Sequence, residues 1–100
     1  MGSEKQFETK VKKWLESEGI YSAGTPQDKK KVPECGWYLK TWGGGYQKSG
    51  IPDLLLCVNG IFISAELKGD TGTPSDLQLK NTAAINSSNG IGVVLYPKGF

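Results

Sequence analysis

The chain has no histidine. That removes the imidazole base of a Ser-His-Asp triad and the usual Cys/His zinc site. Its two cysteines, Cys35 and Cys57, stand at no metal-ligand spacing. No apolar run approaches the roughly 20 residues of a membrane span, and the N-terminus lacks the charged-then-apolar pattern of a secretion signal. The expectation is therefore a soluble, cytoplasmic protein. A net charge of +2 is too small to demand a polyanionic partner. Acid–base or metal chemistry, if the chain has any, must come from carboxylates, lysines and tyrosines.

What is present is enough for one folded domain over residues 1–100, with 37% hydrophobic residues and three tryptophans. Phe7, Val11, Trp14 and Leu15 make one apolar stripe of a helix over residues 4–18, which Gly19 stops. Glu8 sits about 20° beyond Leu15 on that wheel, at the stripe's edge. Residues 20–36 show no period, hold two prolines and the run Lys29-Lys30-Lys31, and read as a loop. The aromatic segment 37–42 reads as a strand and 43–49 as a flexible connector. Asn59-Gly60 marks a two-residue hairpin between two further strands. A second helix is expected from Pro74 to Ser87 with Thr73 as N-cap, then a last strand over 91–96, apolar throughout and so expected to be central. The order αβββαβ predicts an α/β fold, a mixed central sheet flanked by helices.

The hairpin raises the functional question. If Val58 faces Ile61 across Asn59-Gly60, the same register carried outwards puts Asp53 opposite Glu66, with Cβ atoms about 5 Å apart. Leu54, Leu56 and Val58 then share the core face with Ile61, Ile63, Ala65 and Leu67. Asp53, Leu55, Cys57, Phe62, Ser64, Glu66 and Lys68 share the other. Two opposed carboxylates repel, and a divalent cation between them removes that penalty. The bland alternative is a strand-start aspartate and a surface Glu66–Lys68 pair.

Gly50-Ile51-Pro52-Asp53, a hairpin, then Glu66-Leu67-Lys68, with Glu8 upstream and Pro74-Ser75-Asp76-Leu77-Gln78 downstream, resembles the PD-(D/E)xK nuclease superfamily, specifically its VRR-NUC branch. The resemblance runs from Glu8 to Tyr96; segment 20–36 is its least matched part. It implies a restriction-endonuclease-like core and a Mg2+- or Mn2+-dependent phosphodiesterase of phage or bacterial type. Asp53 and Glu66 would coordinate the cation with the backbone carbonyl of Leu67, and Glu8 would hold a second cation or a water. Lys68 would orient the attacking water or stabilise the transition-state charge, and Gln78 would orient water or phosphate. Glu4, one turn before Glu8, is its rival, and the distance to Gly19 favours Glu8.

Lys40, Tyr46, Gln47 and Lys48 lie on the approach to Asp53, as phosphate and base contacts or as a solvated linker. Lys29 to Lys31 read as a solvated loop, and Trp14, Trp37 and Trp42 as core or dimer-interface aromatics. The expected activity is structure-selective DNA cleavage by a homodimer, with the four-way (Holliday) junction as preferred target because its symmetry matches two sites on a two-fold axis. The connectors 20–36 and 43–45 would allow exchange of an element between copies. The alternatives are a non-catalytic DNA-binding or scaffold module of the same fold, and a nuclease of other branched DNA or of RNA.

Overall fold

A computed structural model describes residues 3–41 and 49–100; Trp42, the glycines 43–45, Tyr46, Gln47 and Lys48 lie outside the described residues. Helix α1 spans Ser3–Ser17 and α2 spans Asp76–Ser87. Five strands form one mixed sheet in the order β1-β2-β3-β4-β5: β1 (Ile20–Ser22), β2 (Gly36–Lys40), β3 (Leu54–Val58), β4 (Ile61–Leu67) and β5 (Ile91–Leu95). The outer pairs β1–β2 and β4–β5 are parallel, the inner two antiparallel. The fold is thus mixed α/β, with one more strand than the sequence predicts.

The extra strand lies in segment 20–36, which is not simply a loop. Gly19, at φ +87°, stops α1 and offers its carbonyl to the N–H groups of Cys35 and Gly36. That brings Ile20 into register with Gly36. The Tyr21 hydroxyl donates to the Val32 carbonyl and accepts from the Val32 N–H, pinning the segment. These partners are remote in sequence, so no local periodicity announces them.

The apolar stripe of α1 packs Phe7, Val11 and Leu15 against Ile20, Tyr38, Leu54, Leu56, Ala65 and Leu67 on one face of the sheet. Each fully buried side chain of this size contributes about 1.5–3 kcal/mol. Trp14 is not core: it is 48% exposed and stacks edge-on against Phe100. Trp37 is likewise exposed, on the opposite face from α1.

Helix α2 covers part of that opposite face. Gly92 lets it approach, since a Cβ there would meet the Thr82 carbonyl oxygen at 2.8 Å. Strand β5 is an edge strand, not a central one, half-buried along most of its length. An all-apolar run is possible at this edge because α2 lies over one side of it and the core over the other. The cap of α2 is Ser75, not Thr73: the Ser75 hydroxyl accepts from the Gln78 N–H, and the Gln78 side chain accepts from the Ser75 N–H. Pro74 therefore precedes the cap, where it cannot interrupt the helix.

Candidate active site

The β3–β4 hairpin has the register its turn demands. Asn59, at φ 51°, and Gly60, at φ 83°, supply the two positive-φ positions of a tight turn. Val58 pairs with Ile61 and Leu54 with Ala65. The next step outwards sets Asp53, one residue before β3, opposite Glu66 inside β4. Asp53 is anchored on both sides. Its carbonyl accepts from the Thr41 N–H at 2.9 Å, and its carboxylate Oδ2 accepts from the Leu67 N–H at 2.7 Å.

Glu66 is only 3% exposed, a burial seldom imposed on a carboxylate without a partner. Its Oε2 accepts from Gln78 Nε2 at 2.7 Å and lies 3.3 Å from Lys68 Nζ. Its Oε1 is buried and has no hydrogen-bond partner among the described residues. Burial, and then the Asp53 carboxylate, push the Glu66 pKa up to about 7 against the pull of Lys68. A buried acceptor oxygen with unused lone pairs beside a second carboxylate is a poor structural element and a good hard-cation ligand.

The structure thus brings together Asp53, Glu66, Lys68 and Gln78, with the backbone of Leu67 between Glu66 and Lys68. The Leu67 side chain is in the core, 1% exposed. Glu8 does not join them. Its carboxylate is held by Lys40 Nζ at 2.8 Å and Lys12 Nζ at 2.9 Å. Partial burial raises its pKa, but the two lysines outweigh that and leave it below the ordinary value. Glu4, Lys5, Glu8, Lys40 and Asp53 line an open cleft, so the α1 carboxylates border the site from the side. Among the described residues, no group of three or more His, Cys, Asp or Glu side chains is placed to hold a metal ion. Two carboxylates, with backbone or solvent oxygens completing a shell, are what the chain offers.

Two features escape the sequence reading. Gln78 reaches Glu66 instead of open cleft, which depends on α2 lying over β4. The Ser75–Gln78 capping box was legible as S-x-x-Q at the start of α2. The loop before Asp53 is also docked, since Asn81 Nδ2 donates to the Gly50 carbonyl at 2.8 Å. Lys30, in the run of three lysines, pairs with Glu34 at 2.9 Å. No helix is long and apolar enough to cross a membrane among the described residues. Comparison with protein-family models, curated proteins and solved structures gives no match to this chain.

Proposed function

We propose that the protein is a Mg2+- or Mn2+-dependent, structure-selective DNA endonuclease of the PD-(D/E)xK type, VRR-NUC branch, with a restriction-endonuclease-like core. The observation that carries this reading is the unpartnered, buried Oε1 of Glu66 beside Asp53. The donor set fits a hard divalent cation, which prefers oxygen ligands and tolerates an incomplete protein shell filled by water. When bound, such a cation would neutralise phosphate charge and acidify an attacking water.

The chain's own groups take the remaining roles. Asp53 and Glu66, with the Leu67 carbonyl, would hold the cation. Lys68, on the same face as Glu66 and 16% exposed, is close enough to the cleft to orient the nucleophile or offset charge on the phosphoryl group. Gln78 holds Glu66 in place. Glu8 and Lys40 flank the cleft, with Lys40 the described phosphate contact; Tyr46, Gln47 and Lys48 extend that approach in the sequence.

Exposed Trp37, Leu39 and Phe62, on the face of the sheet away from α1, support a homodimer. A two-fold dimer matches the symmetry of a four-way junction. Cleavage of synthetic four-way junctions, flaps and duplexes, with Mg2+ or Mn2+ and with chelator, tests the reading. Cleavage should require metal, favour the junction, and be lost in Lys68→Ala while DNA binding remains. Cleavage that persists in chelator, or none with either metal, rejects it. A monomeric mass by light scattering at micromolar concentration rejects the dimer alone.

The lack of a third acidic ligand among the described residues favours one other reading, a non-catalytic DNA-binding module of the same fold. Metal-independent DNA binding that Asp53→Asn leaves unchanged would select it.

A further inference from the structure

Gln78 is bound at both ends of its side-chain amide. Its Oε1 accepts from the Ser75 backbone N–H at 2.8 Å, and its Nε2 donates to Glu66 Oε2 at 2.7 Å. These two partners differ in kind: a backbone N–H can only donate, and the Glu66 carboxylate, once ionised to serve as a ligand, can only accept. The two ends of a glutamine amide are nearly the same shape, so packing alone does not decide which end faces Glu66. Turned over, the amide would set its oxygen against the Glu66 carboxylate and its NH2 against the Ser75 N–H, two mismatches at once.

We propose that Ser75 is a positioning residue of the site: its backbone N–H locks the Gln78 amide so that Gln78 Nε2 holds Glu66 Oε2 and Glu66 Oε1 is left as the ligand atom. The capping box of α2 thereby serves two ends. The Ser75 hydroxyl takes the Gln78 N–H and starts the helix, while the reciprocal bond sets the carboxylate of a neighbouring strand. This inference rests on reading Asp53 and Glu66 as a cation site. Partners that orient a ligating side chain are typically worth about 10–100-fold in metal affinity.

The two contributions of Ser75 can be separated. Ser75 has φ −71°, a value proline adopts, so Ser75→Pro removes the N–H and the hydroxyl without demanding a new φ. Ser75→Ala removes the hydroxyl alone, and Ser75→Thr keeps both. By isothermal titration calorimetry, Mn2+ affinity should fall about tenfold or more in Ser75→Pro. It should fall less in Ser75→Ala and stay at the wild-type level in Ser75→Thr. In a Gln78→Ala background Ser75→Pro should cost no more than Ser75→Ala does there, because the amide that the Ser75 N–H acts through is gone and only the hydroxyl cap remains to be lost.

Heteronuclear NMR of the metal-free protein supplies a second readout. The Gln78 side-chain NH2 should be protected from solvent exchange in the wild type and lose that protection in Ser75→Pro, while the backbone amides of later α2 residues keep theirs. Equal Mn2+ losses from Ser75→Pro with and without Gln78, or undiminished protection of the Gln78 NH2 in Ser75→Pro, would overturn the proposal. If the wild type binds no Mn2+, the cation reading fails, and protection of the Gln78 NH2 alone decides whether Ser75 orients it.

Discussion

The Leu67 N–H donates to Asp53 Oδ2 at 2.7 Å, tying the residue that follows Glu66 to the carboxylate that opposes it. The bond extends the hairpin beyond the last β3–β4 pair, Leu54 with Ala65. It holds two like charges together at the end of the sheet.

Asp53→Asn separates the structural role of this group from its charge. An amide oxygen can still accept from Leu67, and relief of the repulsion with Glu66 is worth about 0.2–1 kcal/mol. The variant should therefore be as stable as the wild type or slightly more so by urea denaturation near neutral pH, yet lose Mn2+ binding and cleavage. A large loss of stability would mean that Asp53 serves the fold and not a ligand.

The raised pKa of Glu66 sets the pH dependence of stability. Below its ordinary value of 4.5 the group is protonated in both folded and unfolded chains and costs nothing. Between that value and about 7 the folded protein retains a proton that the unfolded chain releases, so rising pH favours unfolding; above about 7 the full penalty is present. Glu8, whose pKa is lowered, contributes in the opposite sense, but its stabilisation is lost only at pH below its ordinary value of 4.5. In metal-free buffer the melting temperature should fall from about pH 5 to about pH 8. Mn2+ should reverse much of that fall, and Asp53→Asn should lessen it, leaving the part due to burial. A metal-free melting temperature that rises across this range contradicts the assignment.

Lys40 and Lys12 grip the two oxygens of one carboxylate, Glu8, but only Lys40 comes from the sheet beside the cleft. Replacing either by alanine should cost under about 1 kcal/mol, since both ion pairs are partly solvated. Only Lys40→Ala should weaken binding to an uncleavable duplex, lowering the slope of log affinity against log salt by about 0.9, as expected for one lost phosphate contact. Equal slopes for both variants would make Lys40 a structural partner of Glu8.

Gly50, at φ +79°, turns the chain ahead of Pro52 and Asp53. A Cβ there would meet Leu77 of α2 at 2.7 Å. Gly50→Ala should destabilise by about 1–3 kcal/mol through the unfavourable φ and the collision, and should lower Mn2+ affinity as the Asn81 contact is displaced. A stability change under about 0.5 kcal/mol would show that the loop is not docked as described.

Ser64, 1% exposed on the same face as Glu66, has a hydroxyl without a partner among the described residues. An unsatisfied buried hydroxyl costs about 1–3 kcal/mol, so Ser64→Ala should be neutral or stabilising in urea denaturation. A clear loss of stability would reveal a hydrogen bond at that hydroxyl.

The sequence alone determined what depends on neighbours along the chain. Phe7, Val11 and Leu15 recur at helical spacing and are buried, because periodicity places them on one face whatever they pack against. The Asn59-Gly60 turn sets the pairing from Val58 outwards, and alternation then assigns Leu54, Leu56, Ala65 and Leu67 to the core and Glu66 to the other face. Tertiary structure decided what depends on partners far along the chain. Strand β1 exists because Gly19 meets Cys35 and Gly36, and β5 is an edge because no further strand pairs with it among the described residues. Ser75 as the cap lay between the two kinds: its S-x-x-Q spacing is local, but Thr73 and Pro74 offered an equally local start two residues earlier. Which oxygen of Glu66 is satisfied could not be read from spacing, because it depends on α2 lying over β4 and carrying Gln78 to a carboxylate twelve residues before it. Local patterns fix dihedral angles and faces; the orientation of one amide against one carboxylate is fixed only when two elements have packed.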